Sequence, residues 1–147
     1  MKIENELKSK FSSEQQKALI NIIFTSNWVS NKIYAELKKY NLTNEQYNVL
    51  RILRGSSPDS ICLKEISCRM INRHSNTTRI VEKLLNKGYL VKESSDEDRR
   101  ELSIRITESG MKLLSEIDSN SKIGDDIVKL SDEDSRQLNN LLNSVRD

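Results

Sequence analysis

The stretch from Asn76 to Gly110, NTTRIVEKLLNKGYLVKESSDEDRRELSIRITESG, constrains this chain more than any other. From Thr77 to Leu85 the apolar residues Ile80, Val81, Leu84 and Leu85 recur at helical spacing, while Thr78, Arg79, Glu82 and Lys83 take the opposite face. Gly88 then predicts a stop, because glycine enters the left-handed conformation of a helix end at little steric cost. Tyr89-Leu90-Val91 suits a strand. Leu102, Ile104 and Ile106 alternate with Ser103 and Arg105, the period of a half-buried strand. Between the strands lies Ser94 to Arg100, too polar to bury. A polar-faced helix followed by a hairpin with arginines at its tip predicts a winged helix-turn-helix, whose chemistry is DNA reading.

Charge supports that reading. The net charge is only +2, but it is unevenly spread. From Cys62 to Lys92 there are seven cations (Lys64, Arg69, Arg73, Arg79, Lys83, Lys87, Lys92) and two anions (Glu65, Glu82), a net of +5. From Thr107 to Asp147 five cations face nine anions, a net of −4. A basic lobe is the electrostatic footprint of a polyanion partner, although charge alone also fits plain solvated surface.

The segment resembles the MarR family of bacterial transcription regulators. The resemblance rests on Thr78-Arg79, Leu84, Lys87-Gly88, Leu90-Val91, Asp98-Arg99-Arg100 and Ile106-Thr107-Glu108-Ser109-Gly110, in that order and spacing. It extends more loosely from about Ser13 to the C-terminus. It implies a single MarR-type domain over residues 1–147. The winged-helix lobe would span 42–107, with the helix-turn-helix at about 62–86 and the wing at 89–106. A helical dimerisation lobe would be built from 11–40 and 108–147. The expected fold class is mainly α with a small β-hairpin wing.

Around this centre, residues before Phe11 read as a frayed start. Ser13 with Gln16, and Thr43 with Gln46, fit capping boxes. Leu19, Ile22, Ile23, Val29, Ile33 and Leu37 form an apolar stripe on a long helix, with Phe24, Trp28 and Tyr34 on or beside it. That is more apolar surface than one small lobe needs, so a homodimer interface is expected. The next helix carries Tyr47, Leu50, Ile52 and Leu53 and ends near Gly55. Ile61 to Ile71 predicts a short helix with Leu63, Ile66 and Met70 inward. Asn72 to Ser75 is the turn, with Ser75 the better cap for the following helix. Thr107 is placed to cap a helix carrying Met111, Leu114 and Ile117. Ser131 is placed to cap a last helix carrying Leu138, Leu141, Leu142 and Val145.

The candidate DNA-reading residues are Ser75, Asn76, Thr77, Thr78, Arg79 and Lys83, short hydrogen-bonding groups and cations at the start and outer face of the recognition helix. Asparagine pairs with adenine and arginine with guanine through two hydrogen bonds; the alternative is that these residues face water. Lys64, Arg73 and His74 are candidate phosphate contacts. The resemblance implies that Arg100 of the wing enters the minor groove, that Asp98 braces the wing, and that Arg99 meets phosphate. The acids Asp96 and Glu97 would repel DNA unless paired with Arg99, Arg105 or Arg73. It also implies small aromatic effectors bound between the dimer helices and the winged lobe. Trp28 and Tyr47 are candidates to line that pocket, or are ordinary core.

Other classes fit poorly. His74 is the single histidine, which disfavours histidine catalysis and histidine-bound zinc. Cys62 and Cys68 form no C-x-x-C pair and are too few for a structural zinc. They are expected to be partly buried free thiols, with a redox-responsive regulator as an alternative. The peroxide-sensing branch of the resembled family uses a cysteine near the N-terminus, where this chain has none. No phosphate loop or nucleophile motif occurs, so no enzyme, cofactor or metal is expected. A winged-helix module that binds another protein is the remaining alternative. No apolar run reaches the roughly 20 residues that span a bilayer, and MKIENELKSKF lacks a signal-peptide core. A cytoplasmic protein with no membrane partner is expected.

Overall fold

Local capping sets most of the helix boundaries. The computed structural model describes residues 2–94, 102–121, 123–124 and 126–147. Along them run α1 (Ile3–Leu7), α2 (Glu14–Leu37), a 3-10 turn (Lys38–Tyr40), α3 (Asn44–Ser56), β1 (Ile61–Cys62), α4 (Leu63–Arg69), α5 (Thr77–Asn86), β2 (Leu90–Ser94), β3 (Leu102–Ile106), α6 (Glu108–Asn120) and α7 (Asp132–Ser144). Thr43 Oγ1 accepts from the Gln46 amide, and Gln46 Oε1 accepts from the Thr43 amide. Each side chain thereby satisfies a backbone donor that a helix start leaves open. At α2, Ser13 Oγ accepts from the Gln16 amide. Gln16 Oε1 reaches one residue further back than the box predicts, to the amide and hydroxyl of Ser12. Thr107 and Ser131 cap α6 and α7 through the Gly110 and Asp134 amides.

The end of α5 is closed by Gly88, with φ of +75°. Its amide donates to the Leu85 carbonyl, and the Tyr89 amide donates to the Leu84 carbonyl. This pair of bonds is the Schellman closure, which turns the chain directly into β2.

The sheet is antiparallel in the order β1-β3-β2. Leu90 pairs with Ile106 and Lys92 with Ile104, so Leu90, Ile104 and Ile106 share one face and are buried together. The third strand departs from the sequence expectation, which began a helix at Ile61. Ile61 pairs with Ile104 and Cys62 with Ser103 before α4 begins. Two residues carry no readable period; burial of Ile61 beside Ile104 decides their conformation.

The core joins Val49, Leu50 and Leu53 of α3, Ile66 of α4, Val81 and Leu84 of α5, and Leu90, Ile104 and Ile106 of the sheet. Leu37, Leu114 and Ile117 belong to the same cluster. The C-terminal end of α2 and the length of α6 are thus rooted in the winged lobe. Gly110 makes close packing possible: a Cβ there would stand 2.6 Å from the Tyr89 carbonyl oxygen and 2.7 Å from Ile106 Cγ1.

Elsewhere α2 and α7 leave apolar faces bare. Leu19 is 57% exposed and Leu141 68%, and α7 buries no residue. The frayed start expected before Phe11 is corrected. Residues 3–7 form α1, with Ile3 buried and the Glu4 carboxylate 2.5 Å from Lys17 Nζ on α2. Hydrogen bonding to Lys17 holds the Glu4 carboxyl below its ordinary pKa. The anchor is tertiary, and a local pattern does not reveal it.

Candidate nucleic-acid interface

Helix α5 is held to its lobe by three kinds of contact. Val81 and Leu84 enter the core. Thr77, buried at its first turn, places Oγ1 2.9 Å from Ser67 Oγ on α4. The turn before it is organised by two asparagines. Asn48 Oδ1 on α3 accepts from the Ile71 amide at 2.9 Å, and Asn72 Oδ1 accepts from the His74 amide at 3.1 Å. Asn72 provides the tight turn for which glycine is often used, by offering its side chain to the backbone two residues on.

The expected cap, Ser75, is corrected to Asn76. Asn76 Oδ1 accepts from the Arg79 amide at 3.1 Å, while Ser75 Oγ is buried without a hydrogen-bond partner. The register of the turn decides this: Asn76 has the non-helical backbone of a cap and lies three residues before Arg79. Thr77 is also not presented at the surface, because its hydroxyl faces Ser67. The remaining candidates on α5 are exposed, namely Asn76, Thr78, Arg79 and Lys83, and so are Lys64, Arg73 and His74. The cap occupies the Asn76 oxygen, and the residue as a whole is exposed.

At the base of the wing, Arg105 Nε stands 2.7 Å from Glu93 Oε1 across β2 and β3. Hydrogen bonding by Arg105 keeps the Glu93 carboxyl below its ordinary pKa. Among the described residues Arg105 is paired with Glu93. The wing-tip candidates Asp98, Arg99 and Arg100 lie outside the described residues.

A second feature is a groove of about 1450 Å³ between α2, α3 and the C-terminal segment. Trp28, Tyr47, Arg51, Leu138 and Leu142 line it, and Ile71 brings its wall to the helix-turn-helix. Tyr47 is itself buried, with its hydroxyl accepting from Arg51 at 3.0 Å. The Lys32 ammonium lies 5.4 Å from the Trp28 ring centroid, within cation–π range. Cys62 is half-buried and Cys68 exposed, both as free thiols. Among the described residues no group of three or more His, Cys, Asp or Glu is placed to hold a metal ion, and no helix is long and apolar enough to cross a membrane.

Sequence reasoning missed Asn48, and it placed Asn72 in the turn without its bond to the His74 amide. Asn48 carried a signal, as a polar residue on α3 flanked by the buried Tyr47 and Val49.

This arrangement has known counterparts. Residues 32–117 match the family described as transcriptional regulator SarA/Rot. The chain belongs to that family. It is a transcriptional regulator of the MarR/SarA type, and its relatives are regulators and not enzymes. It is 28% identical to the HTH-type transcriptional regulator SarZ of Staphylococcus haemolyticus, over 95% of this chain and 90% of that protein. It is also 28% identical to MgrA of Staphylococcus aureus, over 82% of this chain and 78% of MgrA. In fold, this SarA/Rot-family chain is similar to a MarR mutant of Escherichia coli complexed with operator DNA. There the TM-score is 0.79 at 18% identity, over 93% of this chain and 99% of that one. A MarR family regulator of Streptomyces coelicolor in complex with DNA gives 0.80 at 17% identity, over 94% and 89%. The mainly helical winged-helix fold expected from the sequence is the fold of these proteins.

Proposed function

We propose that the protein is a homodimeric, sequence-reading DNA binder that represses transcription from an imperfect palindrome and responds to a small aromatic effector. The observation that carries the DNA reading is the outward face of α5. Asn76, Thr78, Arg79 and Lys83 stand exposed on a helix fixed by its cap, by Thr77 and by Val81 and Leu84. Fixing matters, because base contacts discriminate only when the donors are held in register. Similarity to proteins solved on DNA supports the same reading.

In this reading the N-terminal end of α5 enters the major groove. Arg79 reads guanine and the Asn76 side-chain amide donates to a base or phosphate. Lys64, Arg73 and His74 meet phosphates. Asp98, Arg99 and Arg100 act as the wing, with Arg100 in a narrow minor groove where the negative potential is strongest. Residues 42–107 form the reading lobe, and 11–40 with 108–147 the dimerisation lobe. The bare faces of α2 and α7 supply the pairing surface, since an apolar face of this extent is uncommon on a monomer. Two reading helices then span half-sites about 34–36 Å apart. The groove beside Trp28 and Tyr47 receives the effector, and its contact with Ile71 is the route to the reading head.

Selection of bound duplexes from a randomised pool tests the proposal. Enrichment of an inverted repeat with one-turn spacing is expected. Recovery of no shared sequence would overturn it.

A further inference from the structure

We propose that the cavity at the C-terminal end of α5 binds a small phosphate-class anion that is free in solution and not part of the DNA backbone. The cavity, about 460 Å³, lies where the end of α2, the start of α3 and the last turn of α5 meet. Lys38, Lys83 and Lys87 line it with Asn41, Thr43 and Gln46, and no carboxylate lines it. Lys39, next in the chain, is paired with Glu36 and does not contribute a free charge.

Three ammonium groups around one hollow repel each other. Lys83 on α5 and Lys87, which caps its C-terminal end, are four apart, a spacing that is unfavourable when the charges are alike. The negative C-terminal end of α5 offsets part of that repulsion. Lys87 also has a structural task, donating to the Asn41 carbonyl at 2.5 Å. Lys38 and Lys83 are exposed at the rim with no ion pair among the described residues. A dianion or polyanion matches this set: ammonium groups bind phosphate as point charges, and the side chains of Asn41 and Gln46 and the hydroxyl of Tyr34 offer further polar groups. A volume of this size admits a phosphorylated small molecule.

Lys83 is shared between the outward face of α5 and this cavity, whereas Lys38 and Lys87 lie away from the DNA-reading end. From Asn76 to Lys87 the chain rises about 16 Å along the helix. The cavity is thus at the opposite end of α5 from the cap. An occupant there would tie α5 to α2 and α3, so its binding and the placement of α5 are reciprocally linked.

The test uses the full-length protein and inorganic pyrophosphate as probe. Calorimetry and amide chemical shifts are followed against sodium chloride at matched ionic strength. Saturable binding is expected, with shifts at Lys38, Asn41, Lys83 and Asn86. Affinity is expected to fall about tenfold or more in Lys38→Gln/Lys83→Gln, because hydrogen bonds to charged groups are among the stronger ones. Lys112→Gln, outside the cavity, is expected to leave it unchanged. Non-saturable binding, or shifts spread over all lysines, overturns the site; the wild-type shifts decide this even if the double variant fails to fold. A DNA arm identifies the source of the anion. If Lys38→Gln lowers the salt slope of DNA binding by about 1, a backbone phosphate occupies the cavity and the free-anion assignment is overturned. An unchanged slope supports it.

Discussion

The hydroxyl of Thr77 lies 2.9 Å from that of Ser67, and this contact fastens the first turn of α5 to α4. Thr77→Val keeps the shape and removes the bond. A loss of about 1 kcal/mol in urea unfolding is expected, the usual net worth of one hydrogen bond. DNA affinity should fall less than in Arg79→Ala. If Thr77→Val weakened DNA binding more than Arg79→Ala with stability unchanged, Thr77 would be a reading residue.

Asn76 separates capping from reading. Asn76→Ala removes the side-chain acceptor of the Arg79 amide and should cost about 1 kcal/mol of stability. Asn76→Asp keeps the acceptor and adds a negative charge that suits a helix start. Its stability should match wild type while DNA affinity drops, because in the proposed complex the charge would face phosphate. Equal DNA affinity in Asn76→Asp and wild type would remove Asn76 from the interface.

Gly110→Ala presses a methyl group to 2.6 Å from the Tyr89 carbonyl oxygen. Backbone cannot yield as a flexible side chain does. A cost of about 1–3 kcal/mol is expected, typical of overpacking. Calorimetry should show a midpoint lower by several degrees; an unchanged midpoint would mean that α6 shifts freely on the sheet.

Leu141→Glu places a charge on the exposed face of α7, where the side chain is 68% exposed in the single chain. If that face pairs with a second copy, sedimentation equilibrium should give the monomer mass with helicity retained. A surviving dimer would move the interface away from α7.

The pair of Glu4 and Lys17 makes the docking of α1 sensitive to acid. Hydrogen bonding to Lys17 lowers the Glu4 pKa from its ordinary 4.5. A depressed carboxyl contributes stability that is full above its unfolded value and is lost as pH falls through the folded value. Protection of α1 amides from exchange should therefore be constant from pH 7 to 5 and decline only below 4.5. Glu4→Gln should remove that decline, and an acid dependence that survives in Glu4→Gln would assign it to another group.

Local chemistry made much of this fold readable. The Thr43–Gln46 box, the Thr107 and Ser131 caps and the glycine stop at Gly88 each act within a few residues, so the residue types alone predict them. What escaped was set by distant partners. β1 exists because Ile61 meets Ile104, and α1 because Glu4 meets Lys17. At the candidate site the cations of α5 were legible from period and charge. The choice of Asn76 over Ser75 as cap was not, since both are good capping residues and the turn built by Asn48 and Asn72 sets the register.

DNA reading by α5 is tested most directly by fluorescence anisotropy on a duplex from upstream of the gene, against a scrambled duplex, over a salt series. Arg79→Ala and Arg100→Ala are run alongside. Sequence-preferring binding is expected, with a log–log salt slope of about −0.9 per phosphate contact. Arg79→Ala should lose about 1–3 kcal/mol and relax the preference, as loss of a two-bond contact to a base does. Arg100→Ala should also weaken binding with its fold intact. Absence of salt-sensitive binding to any promoter duplex would contradict DNA reading and leave a protein partner as the target of this face.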